Sequence, residues 1–499
     1  MIGFLTFSLP GIFPASTTAH AGFFNRDLEL FEEVVDLVAG KFVYPPDYKK
    51  LFSQAIAEMA KAAGDKQVSI SQIASGETIT WGKSVLTYPL SFNRDSDMES
   101  FRKAYYFLLE GSNGKVSTEE LETAGVIGLM NSLDVYSQYL DKDSFAQSMR
   151  DTEGKYGGLG MVITMRDKKL TVVKTMKGSP AERAGILPDD VFLKVEGKEL
   201  VNLQIQELAE MLRGYPDTLV SVELLRPAEN LTQSYSLKRE IISIETVLYK
   251  TMENQIGYIN ISSFSKQTDD QLKDALAKAK VDQVKAFILD LRDNPGGLLN
   301  QSVKVASHFL YQNRLIVYTQ GRSPADYKEY RAQYKNSLDQ VPVIILVNQN
   351  SASASEIVAG ALRDSGKALI VGQNSYGKGS VQTIFRISDG AGLRLTTAKY
   401  YTPSGTDITA HGIVPEVKIL DSADAEAMVP PSEILNNSET PIVLSTSNVE
   451  KYLKEQGRDV GQDNDPVLHF AHMLIENITV ANKKQTLEKA RELAANIHY

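Results

Sequence analysis

The chain has 499 residues, 42% hydrophobic and 23% charged, with 34 glycines and 18 prolines. That length suits about three domains, and the composition excludes collagen-like, coiled-coil and wholly disordered chains. Fifty-three basic residues against 62 acidic ones give a net charge of −9 with no polybasic run, so nucleic acid is not an expected partner. Cysteine is absent and histidine numbers six, which excludes disulfides, thiolate metal sites and a cysteine nucleophile and leaves the compartment open.

In chain order, residues 2–15 form an apolar stretch ending near Ala19-His20-Ala21, a small-x-small pattern suited to signal peptidase, so 1–21 read as a signal peptide of an exported protein. No Lys or Arg precedes the run, unlike an ordinary signal. The stretch is too short to span a membrane, Pro10 and Pro14 would kink it, and no later segment reaches spanning length. Residues 23–60 read as helical from the spacing of Leu28, Phe31, Val34, Val35 and Val38. Residues 61–115 have weak periodicity and hold the only tryptophan, Trp81, with no role assignable. A helix is expected over 119–133, then a polar stretch ending at Lys155. Short strands are expected at 161–165, 170–173, 191–195 and 220–225, with turn signals between them and one helix over 203–213. From 257 to 371, strands at 257–261, 286–290, 343–347 and 368–371 alternate with helices at 269–279, 300–310 and 354–364, which implies βαβ crossovers and a buried sheet. The segment after 425 is rich in Ser, Asn and Pro, then helical, best over 486–496.

The richest segment is 343–382. A buried strand breaks into small residues and reopens as a helix, placing Ser353 where free amides point outward. A plain N-cap, with Glu356 completing a capping box, is the bland reading of those residues and on their evidence alone the favoured one. The run Gly372 to Lys378 matches the start of a P-loop, with Asp290 as an acidic strand end. Against that, Gly379 follows the lysine, residues 380–387 alternate like a strand where a phosphate cradle needs a helix, and the acidic strand precedes the loop. A lysine between glycines near serines suggests a base instead, because burial lowers an amine's pKa and a neutral amine can take a hydroxyl proton. No motif flags His308 or His411, and His469 with His472 lacks a third ligand.

Ser351-Ala-Ser353-Ala-Ser355-Glu-Ile followed by Tyr376-Gly-Lys378-Gly-Ser-Val-Gln382 resembles the carboxyl-terminal processing, or tail-specific, serine peptidases. The resemblance implies that Ser353 is the nucleophile and that Lys378, 25 residues later, is its general base. It also implies that Gln382 orients the lysine and that Asp364 is supportive. The amide of Ala354 with that of Gly296 or Gly297 would form the oxyanion hole, the glycine being undecided. Ser132-Leu133-Asp134, Ser137, Tyr139-Leu140, the turn from Lys399 to Gly405 and the run Gly412 to Glu416 are further landmarks. The strand module resembles a PDZ domain, most specifically from Gly178 to Asp190. Its carboxylate-binding loop would be Gly158-Leu159-Gly160, beside a helix carrying Leu208, Leu212 and Arg213, the last a positional guess for a relay to the core.

The implied fold is an α/β peptidase core of the crotonase/ClpP-like β-α superhelical type, with an inserted small β PDZ domain and helical N- and C-terminal regions. The segments are 1–21 signal peptide, 22–150 helical N-terminal region with an unassigned insert, 151–242 PDZ domain, 243–424 peptidase core and 425–499 helical tail. The expected function is a serine endopeptidase with a Ser/Lys dyad that takes protein substrates by apolar C-terminal tails, needs no cofactor or metal, and resides in the periplasm as a homo-oligomer, with an adaptor protein as a further partner. The alternatives are a catalytically inactive PDZ scaffold and a P-loop-like nucleotide-binding enzyme.

Overall fold

The computed structural model describes residues 28–497 apart from 65–67, 75, 167, 201–204, 336–337, 410, 429–439, 459–464, 477 and 479–481. The expected signal peptide lies outside the described residues. The chain divides into two compact units, one formed by the part up to Leu37 with Asp47–Leu133, the other by Val38–Pro46 with Asp134–Tyr499.

In the first unit, the single helical stretch expected over 23–60 is two helices, Glu29–Lys41 and Tyr48–Gly64. Pro45-Pro46 separates them, since the residue before a proline is driven out of the helical region. The unassigned insert is an antiparallel sheet of Val68–Ile73, Gly76–Trp81 and Ser84–Pro89 followed by the helix Arg94–Gly111. That helix buries Met98, Phe101, Ala104, Tyr105 and Leu108, a helical spacing that the preceding strands dilute. Trp81 lies on the faces left bare by Gly64 and Gly111; a Cβ on Gly111 would come within 2.6 Å of the indole. Phe31 stacks on Phe101 at 3.7 Å and Phe52 meets Phe31 edge-on at 5.7 Å, forming the centre of this unit with the helix Thr118–Asn131 packed alongside.

In the second unit, the strand module has the order Leu231–Lys238, Leu219–Arg226, Val191–Val195, Lys169–Thr175, Met161–Arg166 with the helix Ile205–Leu212. Leu231–Lys238 had no expectation behind it; its residues are largely polar and exposed, so periodicity gave no sign of it. The strands Lys155–Gly158 and Glu240–Ser243, which enter and leave the module, pair antiparallel with each other.

The core is a seven-stranded sheet in the order Val247–Met252, Ile256–Ile261, Ala286–Asp290, Val343–Val347, Ala368–Gly372, Val417–Leu420, Ile442–Ser445. The first pair is antiparallel and the rest are parallel. Alternate residues face opposite sides. Phe287, Leu289, Ile345 and Ile370 pack with the helices Thr268–Val281, Leu299–Ser307 and Ala354–Asp364. Ile288, Ile344, Leu346 and Leu369 pack with the tail helices Thr446–Glu455, Pro466–Ile475 and Lys483–Ile497. A second sheet holds Lys328–Arg331, Leu315–Gln320, Gly392–Tyr401 and Ser380–Arg386, with Gln138–Leu140 paired to Gly392–Tyr401. The segment after Lys378 is therefore a strand, and the Gly372–Lys378 turn lacks the helix a phosphate cradle requires.

Candidate active site

Three serines stand together after the strand Val343–Val347, and their surroundings separate them. Ser351 Oγ donates to the Leu291 carbonyl at 2.8 Å and Ser355 Oγ to the Asn294 carbonyl at 3.0 Å, and both are fully buried. These two tie the loop before the helix Ala354–Asp364 to the 291–294 segment. Ser353 instead faces a cavity of about 630 Å³.

Its backbone has φ 55° and ψ −112°, a sparsely populated region for an L-residue that costs ~1–3 kcal/mol and persists only where surrounding bonds over-determine it. Those bonds are present. Ser353 N donates to Glu356 Oε2 at 2.7 Å, and its carbonyl accepts from Ile357 N at 3.0 Å and lies 3.1 Å from the Tyr400 hydroxyl.

Glu356 organises both halves of the site. Its Oε2 also accepts from Lys378 N at 3.0 Å, and its Oε1 accepts from Ser375 Oγ at 2.5 Å and Gly377 N at 2.7 Å. Burial pushes this carboxyl's pKa up, and the four donors oppose that without cancelling it. The sequence offered Glu356 only as a capping partner, because the bonds to 375–378 close across about twenty residues of chain. Tyr400, wholly buried, has one proton and three oxygens around it: the carbonyls of Lys378 and Ser353, and Glu356 Oε2 at 3.5 Å. Burial, then the charge of Glu356, hold its phenol well above the ordinary tyrosine value.

Lys378 lies in the same cavity. Burial and then the neighbouring Arg394 lower its pKa from the ordinary lysine value, while Glu356 and Asp134 pull the other way. Among the described residues no hydrogen bond joins Nζ to Ser353 Oγ; Nζ lies over the Tyr136 ring, 5.2 Å from its centroid. Gln382 Nε2 donates to Ser380 Oγ at 2.8 Å and, at 3.5 Å, to Thr396 Oγ1. Gln382 thus stands in the cavity without a bond to the lysine.

Gly296 and Gly297 form another wall. A Cβ on Gly296, at φ +98°, would come within 2.7 Å of Ser353 Cβ, so only glycine permits this approach. Its N–H is already given to Asn294 Oδ1 at 2.9 Å. The Gly297 N–H has no partner among the described residues, and neither does that of Ala354 in the first turn of its helix. Asn294, which sequence reasoning missed, also donates from Nδ2 to the Ile261 carbonyl at 2.7 Å. Asp364 is outside the cavity; it accepts from Ser404 N at 3.1 Å and Ser404 Oγ at 2.7 Å and so fastens the 402–406 turn to its helix.

A smaller cavity in the strand module is lined by Tyr156, Gly158, Leu159, Gly160, Leu212 and Arg213. Leu159 N and Gly160 N have no partner among the described residues. Leu208, expected in this groove, instead turns inward and is 1% exposed in the module's core, because the groove edge of the helix falls one residue later, at Ala209. Arg213 lies over the Tyr156 ring at 5.0 Å and pairs with Glu210 at 2.7 Å. His472, half of the pair noted on the tail, is buried with Nε2 3.1 Å from the Glu253 carbonyl.

The model of Peptidase family S41 matches residues 255–419, and that of the PDZ domain matches 171–226. The chain is 37% identical over 357 residues to a carboxy-terminal-processing protease of Bartonella bacilliformis, covering 70% of this chain and 80% of that protein. It is 35% identical over 342 residues to the carboxy-terminal processing protease CtpA of Bacillus subtilis, covering 68% and 72%. Among solved structures, a photosystem II D1 C-terminal processing protease superposes with a TM-score of 0.41 at 26% identity, over 79% of this chain and 93% of that one. The chain belongs to the carboxy-terminal-processing proteases of Peptidase family S41, and is a serine-type peptidase that carries a PDZ domain.

Proposed function

We propose that the protein is an endopeptidase with a Ser353/Lys378 dyad, delivered its substrates by PDZ binding of apolar C-terminal tails. The observation that carries this is the meeting of Ser353, Lys378, Gln382, Gly296 and Gly297, from segments far apart in sequence, in a single cavity. Neutral Lys378 takes the proton of Ser353 Oγ, which bonds to the scissile carbonyl carbon. The oxyanion is met by the amides of Ala354 and Gly297, the latter favoured over Gly296 because the Gly296 N–H is already engaged. The Lys378 ammonium returns the proton to the leaving amine as the C–N bond breaks. Water, deprotonated by the same amine, then cleaves the acyl ester and restores Ser353. For this the Lys378 side chain turns from Tyr136 toward Ser353, within reach of Gln382.

Bare amides at Leu159 and Gly160 suit a chain-end carboxylate, with the tail added as a strand beside the helix Ile205–Leu212. A relay through Arg213 is supported by its seat on Tyr156 in the strand Lys155–Gly158. The partner of that strand, Glu240–Ser243, runs directly into Ile244 and Thr246 of the cavity wall. Export to the periplasm rests on residues 2–21; a mature protein starting near Gly22 supports it, and one starting at Met1 refutes it.

The test of the dyad is Ser353→Ala, which should abolish cleavage of an unstructured tail-bearing substrate and leave tail binding intact. Lys378→Arg keeps a cation that cannot act as base and should be equally inactive. Unchanged proteolysis by either variant overturns the assignment.

A further inference from the structure

Lys378 has to supply an uncharged amine, yet the ring beside its Nζ favours a charged one. Its Nζ lies 5.2 Å from the centroid of the Tyr136 ring, a separation at which an aromatic face attracts an ammonium through the ring quadrupole. A neutral amine gains little from the same contact.

Tyr136 is firmly held. Asp134 Oδ1 accepts from Tyr136 N at 3.1 Å and Ser137 N at 2.7 Å, and Ser137 Oγ accepts from Thr396 N at 3.1 Å. The next residues, Gln138–Leu140, pair with the strand Gly392–Tyr401, which also pairs with the strand carrying Gln382. The Tyr136 phenol neighbours that of Tyr376, two residues before the lysine. The segment that carries the ring is thus fixed to the strand pair behind Gln382.

We propose that the face of Tyr136 is the resting berth of the protonated Lys378 side chain, which makes Tyr136 a positioning residue that sets the pH at which the amine is released to Ser353. The proposal rests on the dyad reading above. On leaving the berth, the ammonium gives one proton to water, and the neutral amine then accepts the proton of Ser353 Oγ. The other charged or titratable groups facing Lys378 are Asp134 beside the berth, Glu356 on the helix Ala354–Asp364, and Arg394 on the strand Gly392–Tyr401. Asp134 and Glu356 favour the ammonium, whereas burial and Arg394 favour the amine.

The experiment is the pH dependence of kcat/KM, whose acidic limb reports the base of the free enzyme. Tyr136→Leu removes the quadrupole while keeping bulk, and should move that limb toward acid by about 0.4 to 1.5 pH units. Tyr136→Phe keeps the ring and should leave the limb where the wild type has it, although it loses the hydroxyl. If Tyr136→Leu does not fold, fluorinated phenylalanines at position 136 keep the shape and weaken the quadrupole stepwise; the limb should then move to acid with each added fluorine. A limb that stays fixed while activity falls equally at every pH, or one that moves to alkali, overturns the proposal. Lys378→Arg measured alongside separates the two readings: if it cleaves, the base assignment itself is wrong, and if it is inactive while the limb ignores residue 136, only the berth is wrong.

Discussion

Replacing Glu356 by glutamine changes one oxygen to an amino group and leaves the shape alone. The carboxylate is 1% exposed and serves four donors, Ser353 N and Lys378 N on Oε2, Ser375 Oγ and Gly377 N on Oε1. An amide has one acceptor oxygen, so one of these pairs must face an NH2 group. The cheaper orientation keeps Oε2. Ser375 can then rotate its hydroxyl to accept, as it already does from Ile413 N at 2.6 Å, and Gly377 N alone is left unsatisfied. A buried donor without a partner costs ~1–3 kcal/mol. Part is returned because a desolvated charge is removed, the same burial that pushes the Glu356 pKa up. Net destabilisation should be about 1–2 kcal/mol, a few degrees in thermal midpoint. The effect on chemistry should be larger. Gly377 precedes Lys378, and a displacement near 1 Å at a reacting group costs ~10²-fold. Initial rates on an unstructured tail-bearing peptide should show kcat down by roughly 10²-fold with KM changed by less than about threefold, as expected for an interaction realised in the transition state. Wild-type kcat in a folded Glu356→Gln protein would refute the view that this carboxylate positions both halves of the site.

Asp465 takes both terminal nitrogens of Arg292 at 2.9 and 2.7 Å, while Asp290 holds Nε at 3.0 Å. Asp465→Asn should therefore cost ~1.5–3 kcal/mol and lower kcat several-fold, because residues 293–297 hang from Arg292; denaturant midpoints and rates check this, and an unchanged midpoint contradicts it. Gly297→Ala places a Cβ 2.3 Å from the Phe264 carbonyl and should reduce kcat by ~10²–10³-fold. Gly178→Ala, with nothing within 4 Å of its Cβ, should keep catalysis at a stability cost of ~1 kcal/mol. Asp269 is buried; burial opposes its ionisation, but bonds from His308, Lys273 and Tyr334 win and hold its pKa well below the ordinary carboxylate range. Its contribution is present above the unfolded pKa of ~4 and is lost as pH falls toward the folded value. Asp269→Asn should accordingly be less stable than wild type at pH 7, with the gap narrowing below about pH 4; a gap constant with pH argues against it.

The parallel strands around the site were readable because each is a continuous apolar run closed by small or polar residues, as in Val343–Val347 before Asn348 and residues 286–289 before Asp290. Such runs have few alternatives to burial between helices. The strand Leu231–Lys238 was not readable, since it lies at a sheet edge and its character comes from pairing with Leu219–Arg226 rather than from its own residues. The small segment 38–46 joins the second unit through contacts such as Val43 N to the Thr396 carbonyl at 2.9 Å, a closure that spacing cannot reveal. The same limit applies within the site. The motif pointed to Ser353 and Lys378 but not to Glu356, Asn294, Tyr136 or Tyr400. Nor did it show that the Gly296 N–H is already taken by the side chain of Asn294.

The tail, which carried no motif, is explained by what a parallel sheet demands. Both faces of such a sheet must be covered, and the strands Ala286–Asp290, Val343–Val347 and Ala368–Gly372 are buried at every position. Helices before residue 365 cover one face; the other is covered by Val449, Leu453, Phe470, Leu474 and Ala490, all from the tail. A chain ended at 440 would also lose the strand Ile442–Ser445 from the sheet edge, and should fail to fold, rather than fold with altered substrate choice. Recovery of a folded, monodisperse truncation would refute this. The tail helix Pro466–Ile475 is also capped by Asp465, whose Oδ1 accepts from Leu468 N at 3.0 Å while the same carboxylate grips Arg292. One residue thus starts the helix that seals the sheet and anchors the loop that presents Gly297, so the layer that stabilises the core also fixes the geometry of the site.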